Sequence, residues 1–168
     1  MTDYIQLVKE LLTGFANLRK TLDLKLERMV RLEERATSPA AGELTGMPSA
    51  HVADILGIRV ATLSDMKDEL KEQFQDQIQE EQRQKKQIEH LVSKLTVPVE
   101  QTVIQMRYID GFEWEAVNES IFGRESDFND CVRKQSYMRR ILRAHGTAIY
   151  NMAKVWELEE YKCEQTRT

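Results

Sequence analysis

The sequence predicts an all-α fold, in which a long helical hairpin or coiled-coil arm precedes a domain of shorter helices. Three observations predict it. Apolar residues recur at spacings of three and four over long stretches. Only seven Gly and three Pro interrupt 168 residues, too few for a fold full of tight turns. Charged residues make up 31% against 41% hydrophobic, a balance that suits long, partly solvated helices.

The first helix is expected over residues 3–36. Val8, Leu11, Phe15, Leu18, Leu22, Leu26, Met29 and Leu32 form its stripe, with Lys9, Arg19, Lys25 and Glu34 between them. Thr2 or Asp3 is placed to cap its start. Residues 37–50 break the pattern with two Pro and two Gly and read as a loop, with Ser49 as the next cap. A second long helix follows over 50–95. Its stripe runs through Val52, Leu56, Leu63, Met66, Leu70 and Phe74, thins to Ile78, and returns at Ile88, Leu91, Val92 and Leu95. The polar stretch between is a solvated extension of the arm.

Pro98 marks the start of a new region. Residues 99–109 form a short helix, Asp110-Gly111 a turn, and residues 113–121 a second short helix with Trp114, Val117 and Ile121 on one face. Gly123 ends it, residues 124–130 are a loop, and a last helix covers about 132–158. The expected organisation is thus a hairpin at 1–96, a second domain at 97–158 and a flexible tail at 159–168.

Charge is distributed unevenly. The chain carries a net −4, yet residues 97–130 hold two Lys/Arg against eight Asp/Glu, and residues 131–154 hold six Lys/Arg and no acid. On a helical wheel Met138, Ile141, Leu142, His145, Ala148, Ile149 and Met152 fall within about 120° of arc. Ser136, Arg139, Arg140, Arg143, Thr147, Tyr150 and Lys154 lie opposite. Arginine forks match phosphate oxygens and guanine edges, so a basic face on a buried helix suits a polyanion. The same face also suits a solvated surface or an acidic partner.

Other chemistry finds little footing. His51, His90 and His145 are isolated, and Cys131 and Cys163 have no metal-type spacing, so no metal site is expected. There is no phosphate-cradling Gly loop, nucleophile elbow or Cys/His dyad, so neither catalysis nor a cofactor is expected. His145, on the apolar side, reads as a packed histidine, and Trp114 and Trp156 as core or interface anchors. The absence of a secretory signal and of a long apolar run points to a cytoplasmic protein with free thiols and no membrane partner.

Residues 105–117, Gln-Met-Arg-Tyr-Ile-Asp-Gly-Phe-Glu-Trp-Glu-Ala-Val, resemble the "RYIdG-x-x-W-x-x-I" signature of phage proteins related to region 4 of bacterial sigma factors. These are grouped with the RinA-like and ArpU-like regulators of phage late genes. Residues 137–148, from Tyr137 through Arg139, Arg140, Arg143, His145 and Gly146 to Ala148, resemble that group's "Y-x-R-R-x-x-R-x-H-G-x-A" helix, and Gly46-Met47-Pro48 resembles its inter-helix loop.

The resemblance implies a sigma-like helix-turn-helix, with 113–121 as supporting helix and about 134–150 as recognition helix. It implies a sequence-specific transcriptional regulator acting on double-stranded DNA in a bacterial host cell, with RNA polymerase a conceivable partner. Lys134, Gln135, Ser136 and Tyr137 would enter the groove first, and Arg139, Arg140, Arg143 and Thr147 complete the expected DNA-binding set. The connection over 122–133 is longer than a standard helix-turn-helix allows. A helical protein–protein adaptor and a DNA-packaging factor of the small-terminase kind are the competing readings. A single-chain hairpin, a homodimer and a higher homo-oligomer all remain open.

Overall fold

The structure, a computed structural model, describes residues 2–37 and 50–165. Its elements run α1 (Thr2–Thr37), α2 (Ala50–Ser93), α3 (Pro98–Ile104), α4 (Trp114–Phe122) and α5 (Cys131–Gln165), with a π-helical segment at Gln105–Ile109. The described residues contain no strand, so the fold is all-α as expected. Most of the loop expected at 37–50 lies outside the described residues, as do the side chains of Leu32, His51, Val52, Leu56, Leu63, Met66, Leu70 and Cys163.

The chain forms two compact units, one of Met1–Asn17 with Gln82–Thr168 and one of Leu18–Glu81. The division falls within α1 and α2, not at the 96/97 boundary that the change of pattern suggested. The reason is apolar burial. Val8, Leu12 and Phe15 of α1 share one core with Ile88, Leu91 and Val92 of α2, Leu95, Ile104 of α3, and Ala148, Ile149, Met152 and Ala153 of α5. Each large side chain so buried stabilises by roughly 1.5–3 kcal/mol before entropy is counted. Leu12 rather than Leu11 is the fully buried residue of its turn.

A second cluster in the same unit joins Val103, Val117 and Ile141, with Met106, Trp114, Ile121, Phe122 and Ala144 packed around them. It binds α3, α4 and the first half of α5 together. Between α3 and α4 the chain widens into the π segment, closed by Asp110 N donating to the carbonyl of Gln105 at 2.9 Å. Phe112 N then donates to the carbonyl of Met106 at 2.9 Å, and Gly111 makes the turn with φ of 80°. The widened turn sends Met106 to the second cluster and Tyr108 and Ile109 to the first.

In the unit Leu18–Glu81, Leu22, Leu26, Met29, Phe74 and Ile78 line a groove of about 420 Å³. Lys25 Nζ donates to Gln77 Oε1 at 2.6 Å and sits 5.0 Å from the Phe74 ring centroid. Leu26, which spacing placed in the buried stripe, is 55% exposed, since it flanks this groove instead of lying beneath a neighbour.

Helix α5 continues to Gln165, so the stretch expected to be a flexible tail from 159 is helical through that residue. Trp156 Nε1 donates to Glu160 Oε1 at 3.1 Å and Tyr4 Oη to Glu160 Oε2 at 3.0 Å, both inside the extra turns. No described helix is long and apolar enough to cross a membrane.

Candidate nucleic-acid interface

The first half of α5 is fixed by its own entry. Asp130 caps the helix: its Oδ1 accepts from Val132 N at 2.8 Å and Arg133 N at 3.0 Å, two of the donors a helix start leaves unpaired. The connection from α4 is therefore residues 123–130, shorter than the 122–133 read from the sequence. Gly123 N bonds the carbonyl of Glu119 at 2.7 Å, and a Cβ at this glycine would run into that same carbonyl. Phe128 folds back and is buried, its ring 6.3 Å from that of Tyr137.

Helix α4 holds the same region from the other side. Phe122 stacks on Tyr137 with ring centroids 4.7 Å apart. Asn118 is fully buried and donates from Nδ2 to the carbonyl of Lys134 at 3.3 Å. Its Oδ1 finds no protein partner, a desolvation cost that leaves the amide serving the α4–α5 register alone.

The expected DNA-binding residues fall into distinct groups. Gln135, Ser136, Arg139, Arg140, Arg143 and Thr147 are all exposed, with Lys134 exposed beside them. Among the described residues no carboxylate lies within ion-pair distance of Arg139, Arg140 or Arg143. Arg140 instead lies over Phe122 at 4.8 Å and Tyr137 at 5.8 Å, and Lys134 over Phe128 at 5.2 Å. Thr147 Oγ1 donates back to the carbonyls of Arg143 and Ala144 at 3.1 and 3.0 Å.

Tyr137 departs from the expectation. Its hydroxyl donates to Asp127 Oδ1 at 2.6 Å and its ring is stacked on Phe122, so its hydroxyl and one ring face are engaged within the fold. That hydrogen bond, with burial and the Asp127 charge behind it, holds the phenol pKa above its usual 10.0. Leu142 departs in the other direction. It is 47% exposed, because α3 and α4 cover only the side of α5 that carries Ile141 and Ala144.

Arg107, Tyr108, Trp114 and His145, all drawn from the two resembling stretches, meet behind this face. Arg107 Nη1 donates to the Phe112 carbonyl at 2.8 Å and to Glu113 Oε2 at 2.9 Å, with its guanidinium 5.1 Å from the Trp114 ring. The Trp114 ring meets His145 edge-on at 5.0 Å. Arg107, Tyr108, Trp114 and His145 thereby form a packing cluster that helps seat α5, whereas Arg139, Arg140 and Arg143 of the same stretches face outward.

Sequence reasoning missed Asp130, Asn118, Phe122 and Asp127 as parts of this site. Asp130 was findable, being a capping residue type directly before the last helix. The others act through tertiary proximity and leave no local signal. Cys131 is a free, exposed thiol. Among the described residues, no group of three or more His, Cys, Asp or Glu stands close enough to hold a metal ion. Comparison with family models, curated proteins and solved structures returns no match, so the resemblance rests on the quoted residues themselves.

Proposed function

We propose that this protein is a double-stranded-DNA-binding transcriptional regulator of phage or prophage type that presents the first half of α5 to the major groove. The reading rests on one observation above all. Arg139, Arg140 and Arg143 project from a helix stretch without acids, on the side away from the core, with no carboxylate among the described residues to neutralise them. Such unneutralised arginines gain most from phosphate, where counterion release supplies the free energy. Helix α4, with Glu115 and Glu119 exposed, would act as the supporting helix, since its charge disfavours the duplex. RNA polymerase is the protein partner that the sigma-like resemblance suggests.

The test is fluorescence anisotropy of a labelled duplex against the full chain over a salt series. The triple variant R139A/R140A/R143A should bind more weakly, with the log–log salt slope flattened by roughly one unit for each phosphate left unneutralised. Thermal melting of the variant checks that its fold is kept. Unchanged affinity and slope in a folded variant would remove the proposal.

A second reading, a helical adaptor for another protein, draws on a different observation. Leu26 and Val30 are exposed in the unit Leu18–Glu81, with Leu26 lining its apolar groove. An adaptor alone would give no salt-sensitive retention of DNA.

A further inference from the structure

The cations of the basic stretch differ in how tightly the fold holds them. Arg133 pairs with Asp127 at 3.3 Å, Lys134 lies over Phe128, Arg140 over Phe122 and Tyr137, and Lys154 over Tyr150 at 4.6 Å. Arg139 and Arg143 have no such carboxylate or ring partner among the described residues. At about 100° per residue these two share a ridge with Val132 and Ser136, all within roughly 40° of one line. That line runs directly opposite buried Ile141, Ala148 and Met152.

Val132 is the unexpected member. It is 75% exposed, apolar and β-branched, in the first turn of a helix, where neither helix propensity nor hydration favours it. Its backbone N–H is already bound by Asp130, so the side chain is presented from a fixed point. Ser136, between Val132 and Arg139, is small enough to let the helix approach a groove floor.

We infer that Val132 and Arg139 are base-reading residues, Val132 meeting a thymine 5-methyl group and Arg139 a guanine edge, while Arg140, steered to the flank by Phe122, meets phosphate. The inference rests on the DNA-binding reading above. The chemistry follows from the major-groove pattern, in which thymine alone offers a methyl group and guanine offers two acceptors that match an arginine fork. Seven residues of helix span about 10 Å. At 3.4 Å of rise per base pair that is about three steps, so the target should carry a thymine about three base pairs from a guanine.

The experiment uses the full chain and a duplex library with a randomised centre. Rounds of retention at moderate salt yield a base preference profile for the wild type, V132S and R139A. The wild-type profile should contain the thymine–guanine pair at the stated spacing. Replacing that thymine by uracil, which deletes only the methyl group, should weaken wild-type binding about fivefold, the low end of a single mismatch. V132S should bind the thymine and uracil duplexes equally, and R139A should lose the guanine preference. Val132 is exposed enough that V132S should melt like the wild type. Equal wild-type binding of both duplexes, or a thymine preference retained in V132S, overturns the inference. If duplexes are retained in a salt-sensitive way with a flat profile, base reading fails and DNA binding stands. If no duplex is retained at any salt, both readings fall together.

Discussion

The hydroxyl of Tyr108 lies 3.0 Å from Nε2 of His145, and the two rings stack with centroids 5.8 Å apart. This joins the π-helical segment to the middle of α5, and Trp114 closes the third side. Burial pushes the Tyr108 phenol pKa up, against a smaller lowering by Arg107. Burial, reinforced by the Arg107 and Lys9 charges, pushes the His145 pKa below 6.5. The packed pair is therefore a neutral phenol against a neutral imidazole.

Acid should weaken the fold through His145. As pH falls through 6.5 the unfolded chain takes up a proton at this position that the folded chain resists, so stability drops. H145Q should be less stable at neutral pH but should lose less stability between about pH 7.5 and about pH 5 than the wild type. Urea unfolding across that range checks it. Parallel stability–pH curves for the two proteins would show that His145 does not carry the effect.

Arg107 should be needed as arginine. The Glu113 partner is 77% exposed and adds little, whereas the Phe112 carbonyl and the Trp114 face need a planar, multiply donating group. R107A should lose about 1–2 kcal/mol, and R107K should recover less than half of that. Chemical denaturation reads both, and full recovery by lysine would count against the fork geometry.

At Gly111 the backbone itself sets the requirement. Its φ of 80° is left-handed, where a Cβ is disfavoured by roughly 1–2 kcal/mol. G111A should destabilise by about that amount and broaden the amide signals of the turn, through which Phe112 N reaches the Met106 carbonyl. A G111A protein as stable as the wild type would mean that the turn relaxes freely.

Asp130 predicts a graded series. D130A should cost about 1 kcal/mol, and D130N, which keeps the accepting oxygen, only a small part of that. Amide exchange at Val132 and Arg133 should quicken in D130A, since both bonds end on the same oxygen. Unaltered exchange there would show that the cap is not what orders the first turn.

The periodicity of apolar residues located every long helix, because a buried stripe is a local and repeated signal. Ile141, Ala148, Ile149 and Met152 lie in the core as their spacing requires. The same arithmetic misplaced Leu142 and Leu26, since it assumes a neighbour along the whole arc, and the packed helices cover only part of it. Tyr137 and Asn118 were illegible for a different reason. Their partners, Asp127, Phe122 and the Lys134 carbonyl, are set by how the 123–130 connection folds, and no local pattern encodes that. The expected boundary at 96/97 followed a change of composition, whereas apolar packing crosses it at Leu91, Leu95 and Ile104.

Because α5 contributes Ile141 to one cluster and Ala148, Ile149, Met152 and Ala153 to the other, it is anchored at two places along its length. A change that slid α5 along its axis at the arginine-bearing end would therefore have to disturb the packing of Ala148, Ile149, Met152 and Ala153 with Val8, Leu12 and Phe15 of the first helix.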